Sequence, residues 1–237
     1  MPTPTVVLVH GAFTDAASWL GVIHELQKHD VSVIAPSNPL RGLASDAAYI
    51  ASIASQIDGP VILAGHSYGG ALITVAGAAE NVIGLVYIAA YMLDEEESIG
   101  DLQGRFPSTE LVDNLQRWTY PTRDGGTATE VTIAEKAFPR VFAADIATDL
   151  ARVLAATQRP LCTGAFDEAA AVAAWRSKPS WALIAGADLA INPEAGHFGA
   201  ERAGATAVEI DGASHAVVLS QPKAVTRVIL DAVRSFG

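Results

Sequence analysis

The stretch Gly65–Gly70, which reads Gly-His-Ser-Tyr-Gly-Gly, constrains the fold of this chain more than any other feature. It follows a short, continuous apolar run at residues 61–64, which is typical of a buried strand in a parallel sheet. The apolar residues that come after it, 71–76, continue with helical spacing. A serine between two glycines, at a tight turn from strand to helix, is the sequence pattern of a nucleophile elbow.

The glycines of this pattern have a steric role. Ser67 must adopt a strained backbone to project its hydroxyl, and Cβ atoms at Gly65 and Gly69 would collide with neighbouring backbone. The helix that begins after Ser67 also directs its free N–H groups and its positive dipole end to the place where an oxyanion would form. The pentapeptide alone also fits a serine that merely caps a helix. The rest of the chain is needed to distinguish a catalytic serine from a capping one.

Bulk composition narrows the class of protein. A chain of 237 residues, 50% hydrophobic and 17% charged, is long and apolar enough for one α/β domain with an insertion. The net charge of -11, without a stripe of Lys or Arg, argues against a nucleic-acid partner. The single Cys162 has no partner for an internal disulfide. We find no apolar run of membrane-spanning length and no signal-like start, so we expect a cytoplasmic protein without a membrane partner.

Strand and helix patterns alternate through most of the chain. Apolar runs predict strands at residues 5–10, 31–35, 61–64, 82–89, 181–186 and 205–210, with helical patterns between them. This alternation predicts right-handed crossovers and a parallel sheet. From residue 94 to residue 175 we find helical pieces and no convincing buried strand. We therefore predict an α/β core formed by residues 1–93 and 176–237, with a helical cap inserted at residues 94–175.

A serine nucleophile needs a base, and the base needs an acid that orients it. In a doubly wound sheet such residues lie beyond the carboxyl ends of the strands. His215 meets this condition, because it follows the last strand and comes after Ser67 in the chain. His10 and His66 also lie at strand ends, but each adjoins another motif, so packing or hydrogen bonding within the loop is the favoured role for both.

Asp188 is the preferred orienting acid. It follows a predicted strand and lies between Ser67 and His215, which gives the chain order Ser, Asp, His expected for this type of elbow. Asp94, after an earlier strand, is the alternative. Asp211 precedes His215 too closely in the sequence to reach its ring easily.

The oxyanion of an acyl transfer needs two N–H donors. We expect one at Tyr68, the residue after the nucleophile. The other should come from the loop after the first strand, where Gly11 lets the backbone come close to the serine. Ala12 and Phe13 both fit this second role, and we prefer Phe13.

Aromatic residues of the predicted cap are candidates for the wall of an apolar substrate pocket. These are Phe106, Trp118 and Phe138. Each also fits an ordinary position in the core of the cap. The chemistry of a serine, a histidine and an aspartate requires no metal and no organic cofactor.

Together these motifs resemble the α/β-hydrolase superfamily. The matching parts are residues 10–13, the elbow at 65–70, Asp188 and residues 212–215, and the framework covers the chain except for the cap. The resemblance implies about six mostly parallel strands. The opening Val-Leu-Val-His-Gly-Ala looks like the branch of plant methyl esterases, salicylate-binding esterases, hydroxynitrile lyases and related small bacterial esterases.

Departures from related patterns narrow the expected chemistry. Hydroxynitrile lyases of that branch carry a lysine directly after the catalytic histidine and a threonine after the first histidine of the opening motif. Here those places hold Ala216 and Gly11. Haloalkane dehalogenases and epoxide hydrolases have an aspartate at the elbow, where this chain has Ser67. The leading hypothesis is therefore a serine hydrolase of small carboxylic esters, with His215 as base and Asp188 as orienting acid.

Two other classes of function stay open. One is a cofactor-free lyase or dioxygenase, in which His215 deprotonates the substrate and Ser67 only donates a hydrogen bond. The other is a ligand-sensing protein that binds tightly and turns over slowly. Thioesters, lactones and amides would use the same residues as an ester. The expected partner is a small-molecule ester, and the assembly, including a homodimer, stays open.

Overall fold

The computed structural model describes residues 3–237 of the chain. Residues 1 and 2 of the predicted core lie outside this range. Nine strands are present in the described part: β1 Thr5–Val9, β2 Val33–Ile34, β3 Val61–His66, β4 Val82–Ile88, β5 Leu115–Pro121, β6 Thr127–Ile133, β7 Leu161–Cys162, β8 Ser180–Ala185 and β9 Thr206–Ile210.

The helices lie mostly between these strands. They are α1 Leu20–Gln27, α2 Leu43–Ser55, α3 Tyr68–Ala76, α4 Ile99–Gln103, α5 Glu110–Asp113, α6 Phe138–Val141, α7 Thr148–Ala156, α8 Pro193–Arg202, α9 Val217–Ser220 and α10 Pro222–Arg234. Short 3-10 turns are added at Ala16–Trp19, Thr163–Phe166 and Ala174–Arg176.

Six of the strands form a parallel sheet, in the order β2-β1-β3-β4-β8-β9. Side chains alternate between its faces. Val7 and Val9 pack with α2 and α3 on one face, while Val6 and Leu8 pack with α1 and α10 on the other. Because both faces are covered by helices, the central strands read as continuous apolar runs. The predicted sheet of about six parallel strands flanked by helices is confirmed.

The carboxyl ends of these strands bring the candidate residues to one edge of the sheet. The loop after β1 begins at His10, and Ser67 directly follows β3. Asp188 and His215 lie in the loops after β8 and β9. The sheet order places β1 beside β3, so the loop after β1 lies next to the elbow.

The segment predicted as a cap lies between β4 and β8 and contributes no strand to the six-stranded sheet. It contains α4, α5, α6 and α7, as expected. It also contains a three-stranded antiparallel sheet, in the order β5-β6-β7, so the expectation of a cap made only of helices is wrong.

The exposure of its strands explains why the sequence does not predict this second sheet. Most residues of β5 are exposed, so its sequence lacks the apolar run that marks a buried strand. The sequence does contain local features that are typical of a β-hairpin. Thr, Val and Ile are frequent in β6, and Gly125 adopts φ +84° in the turn that joins β5 to β6.

Candidate active site

The elbow at Ser67 has the strained geometry that its sequence predicts. Ser67 adopts φ 55° and ψ -122° between β3 and α3, in a region that residues with a Cβ atom rarely occupy. A Cβ atom at Gly65 would lie 2.4 Å from the carbonyl oxygen of Gly69, and one at Gly69 would lie 2.3 Å from the carbonyl oxygen of Val9. The steric need for glycine at both positions is confirmed.

Ser67, His215 and Asp188 form a continuous chain of hydrogen bonds. The Ser67 Oγ lies 2.8 Å from Nε2 of His215, and Nδ1 of His215 lies 2.6 Å from Oδ2 of Asp188. All three residues are buried. Since the carboxylate accepts the Nδ1 proton, Nε2 keeps the lone pair that can take the serine proton.

The Asp188 carboxylate is held by its own loop. Its Oδ1 accepts the backbone N–H groups of Ala190 and Ile191, at 2.7 and 2.9 Å. Its other oxygen is thereby directed at His215. The alternative acid, Asp94, is bound instead to the guanidinium of Arg176 at 2.7 Å.

His66 packs against His215 without belonging to the hydrogen-bonded chain. Its Nε2 donates to the carbonyl oxygen of His215 at 2.9 Å, and the two ring centres are 4.8 Å apart. Complete burial, with the neighbouring His215 as a smaller cause, holds the pKa of His66 well below its usual value. A neutral ring at this position adds no positive charge beside the candidate base.

The Tyr68 N–H fits the first donor of an oxyanion hole. It begins α3, and it has no hydrogen-bond partner within residues 3–237. The N-terminal end of α3 adds a positive partial charge at this point. The Tyr68 side chain turns away from the solvent, and its hydroxyl donates to the buried carboxylate of Asp46 at 3.0 Å.

The structure does not favour Phe13, our preference for the second donor. The Phe13 N–H donates to the carbonyl oxygen of Arg159 at 3.0 Å, so it is already used. Ala12, the other candidate, has an N–H without a partner in the described part of the chain. Gly11 lets this loop approach the nucleophile, because a Cβ atom there would lie 2.7 Å from the Cβ of Ser67. The choice between Ala12 and Phe13 depends on a residue about 150 positions away, which local sequence does not reveal.

A narrow cavity with an empty volume of about 330 Å³ lies over Ser67 and His215. Its wall is predominantly apolar, with side chains from the core and from the segment predicted as a cap: Phe13, Tyr91, Ile99, Leu111, Phe142, Leu161, Phe166 and Ile191. An apolar wall without a charged side chain favours a small, uncharged group next to Ser67.

The three aromatic residues predicted for the pocket do not line this cavity. Phe106 lines a neighbouring surface pocket. Trp118 is 48% exposed on β5, and its Nε1 donates to Thr132 at 2.9 Å. Phe138 is fully buried, and its ring stacks on that of Phe142 at 4.8 Å. Phe142 lines the cavity instead, with its ring 4.8 Å from that of His215.

Two further properties of residues 3–237 concern metal binding and membrane insertion. No group of three or more His, Cys, Asp or Glu side chains in this range is arranged to hold a metal ion. No helix in the same range combines the length and apolar character needed to cross a bilayer.

The sequence profile of the alpha/beta hydrolase family matches residues 6–228, and the chain belongs to this family. No curated protein matches the sequence. The predicted resemblance to the α/β-hydrolase superfamily is confirmed.

Solved structures with the same fold include several esterases. Polyneuridine aldehyde esterase aligns with a TM-score of 0.83 at 20% identity, over 97% of this chain and 99% of that chain. A pyrethroid hydrolase from Sphingobium faniae has a TM-score of 0.78 at 19% identity, over 98% of both chains. A methylesterase from Arabidopsis has a TM-score of 0.78 at 16% identity, over 98% of this chain and 99% of that chain. These likenesses establish a shared fold.

Proposed function

We propose that the protein is a serine hydrolase that cleaves a small carboxylic ester through an acyl-enzyme on Ser67. The observation that carries this proposal is the buried chain of hydrogen bonds from Ser67 through His215 to Asp188. His215 takes the serine proton as the Ser67 oxygen attacks the acyl carbon. Asp188 holds the ring in the required tautomer and stabilises the imidazolium that forms.

Two backbone N–H groups stabilise the negative charge on the substrate oxygen. Tyr68 supplies one, and Ala12 replaces Phe13 as the other. In sites of this kind, the loss of one donor lowers the rate by roughly 10²–10³-fold. His215 then returns its proton to the leaving alcohol, and water attacks the acyl-enzyme with His215 again as base.

The substrate class follows from the cavity. A narrow, apolar and uncharged wall fits a small acyl group or a small alcohol group and disfavours a charged one. The fold relatives named above as esterases and hydrolases agree with ester cleavage. We further propose that residues 94–175 act as a cap over the core, because Ile99, Leu111 and Phe142 of this segment close the cavity.

Lyase chemistry has less support from the site. The position after the candidate base is Ala216, which is fully buried and has no charge to stabilise a leaving anion. Ligand sensing without turnover predicts tight binding with Ser67 unmodified.

The test is active-site labelling. The protein is treated with a fluorophosphonate probe, and hydrolysis of p-nitrophenyl acetate and butyrate is followed. We expect the label on Ser67 and ester turnover, with both lost in Ser67→Ala and kept in the control Ser55→Ala, which changes an exposed serine of α2. If Ser67 is neither labelled nor needed for turnover, the proposal is wrong. Substantial turnover that persists in Ser67→Ala would favour base chemistry at His215.

A further inference from the structure

The segment between β4 and β8 contacts each loop that carries a group of the proposed site. In the loop of the base, the Ala216 N–H donates to the carbonyl oxygen of Phe142 at 2.9 Å. In the loop of the acid, the carbonyl oxygen of Leu189 accepts the N–H of Leu111 at 3.2 Å. The third contact involves the loop after β1, and it includes a charged side chain.

Arg159 lies between α7 and β7 and contacts that loop at two points. Its carbonyl oxygen accepts the Phe13 N–H at 3.0 Å, and its Nη1 lies 3.3 Å from Nε2 of His10. Nδ1 of His10 donates to the carbonyl oxygen of Gly11 at 2.8 Å, so Nε2 carries a lone pair, which accepts the Asn38 N–H at 3.1 Å and also faces the guanidinium of Arg159. Burial, with the charge of Arg159 as a smaller cause, lowers the pKa of His10 to about 4, which keeps the ring in this neutral form at pH 7.

Ala12 lies between the two points of contact. The direction of its N–H depends on the peptide that joins it to Gly11, and this short loop is held on one side at His10 and on the other at Phe13. Phe13 adopts φ 63°, which is uncommon for a residue with a Cβ atom and persists only where the surroundings enforce it. Arg159 supplies that restraint on the Phe13 side of the loop. On the His10 side its guanidinium shares the restraint with Asn38, whose backbone N–H donates to Nε2 of His10 at 3.1 Å and whose Nδ2 donates to the His10 carbonyl oxygen at 2.7 Å.

We propose that Arg159 is a positioning residue, which holds residues 10–13 so that the Ala12 N–H is directed at the oxygen of the substrate carbonyl. The inference rests on the proposed ester hydrolysis at Ser67. Any residue at position 159 has a backbone carbonyl, so the specific contribution of the arginine is the contact of its guanidinium with Nε2 of His10, which supplements the hydrogen bond from the Asn38 N–H. Loosening the loop should weaken stabilisation of the oxyanion and leave binding of the uncharged ester nearly unchanged.

The test compares Arg159→Met, which keeps an apolar stem without a donor, with Arg159→Lys, which keeps a cationic donor. Arg152→Ala, at an exposed position of α7, is the matched control. The measurements are kcat and KM for p-nitrophenyl butyrate, and the inhibition constant of an alkyl boronic acid that forms a tetrahedral adduct on Ser67. In Arg159→Met we expect kcat to fall about tenfold, boronate affinity to fall by a similar factor and KM to stay within about twofold. Arg159→Lys should recover most of kcat, and the control should match the wild type.

Several results would overturn the inference. One is a folded Arg159→Met protein, judged by its urea midpoint, with wild-type kcat and boronate affinity. A rise in KM alone would point to a substrate contact and equally contradict a positioning role. If Arg159→Met does not fold, kcat, KM and the boronate inhibition constant are measured for Arg159→Gln instead. The shorter, neutral side chain of glutamine should also weaken the contact with His10. A wild-type protein that hydrolyses no ester and takes no label at Ser67 would instead refute the proposed function, and the inference with it.

Discussion

Replacing Gly69 with alanine tests how the elbow is built. The added Cβ atom would lie 2.3 Å from the carbonyl oxygen of Val9 and 3.0 Å from that of His10. Both obstacles are backbone atoms, so no side-chain rotation relieves the clash. Cβ atoms do not approach other atoms within 3.0 Å, so α3 and β1 must separate by at least about 0.7 Å.

That displacement has a cost in stability and a cost in catalysis. Overpacking of a well-packed interior costs about 1–3 kcal/mol, and a clash of backbone with backbone belongs at the upper end. In a domain of this size each kcal/mol lowers Tm by roughly 2–4 °C, so we expect a decrease on the order of 6–12 °C. The shift also moves Ser67 away from residues 10–13, and a misplacement near 1 Å costs about 100-fold in rate.

The assay is a thermal unfolding scan of Gly69→Ala, followed by kcat/KM for p-nitrophenyl butyrate at a temperature where the variant is folded. Gly164→Ala is the control, because its Cβ atom would meet nothing closer than the Cys162 sulfur at 3.9 Å. The control should unfold within about 2 °C of the wild type. A Gly69→Ala protein that unfolds as late as the control and keeps its activity would refute the steric argument.

Three further predictions concern the cavity, a buried histidine and a buried carboxylate. Ile191 lies between the cavity over Ser67 and the neighbouring pocket, so truncating it in Ile191→Ala should join the two spaces and make room for a longer acyl chain. We expect the ratio of kcat/KM for p-nitrophenyl hexanoate to kcat/KM for p-nitrophenyl acetate to rise about tenfold. An unchanged ratio would contradict this. The pKa of His10 is lowered from 6.5 to about 4, so between these values the unfolded chain binds a proton that the folded chain does not. The stability that the neutral His10 contributes is complete above pH 6.5 and falls by about 3 kcal/mol as the pH drops to 4. The free energy of unfolding in urea, measured from pH 7 to 4.5, should therefore depend less on pH in His10→Gln than in the wild type. An equal pH dependence in the two proteins would contradict this. Tyr68→Phe removes a hydrogen-bond donor from the buried carboxylate of Asp46 and should lower the free energy of unfolding by about 1–3 kcal/mol. We expect kcat to change only a few-fold, because the proposed oxyanion donor is the backbone N–H of Tyr68. An unchanged urea midpoint would show that this hydrogen bond contributes no stability.

The sequence predicted the core of this protein because its signals are local. The central parallel strands are buried and read as continuous apolar runs, and the six strands that were expected form the six-stranded sheet. The elbow depends on steric contacts among residues 65–70 and the adjoining strand, so the need for its glycines can be predicted from the sequence alone. The rule that functional residues lie at the carboxyl ends of strands, together with the chain order Ser, Asp, His, selected Asp188 and His215 as candidates, and the structure brings these two within hydrogen-bond distance.

Contacts between distant segments were decided only by the tertiary structure. The Phe13 N–H donates to the carbonyl oxygen of Arg159, which leaves the Ala12 N–H as the candidate for the second oxyanion donor. The cavity wall contains Phe142 in place of the predicted Phe138, because these two rings stack and only one of them faces His215. A local sequence pattern states which face of an element is apolar, but the neighbour that each side chain or N–H meets depends on how elements far apart in the chain pack together.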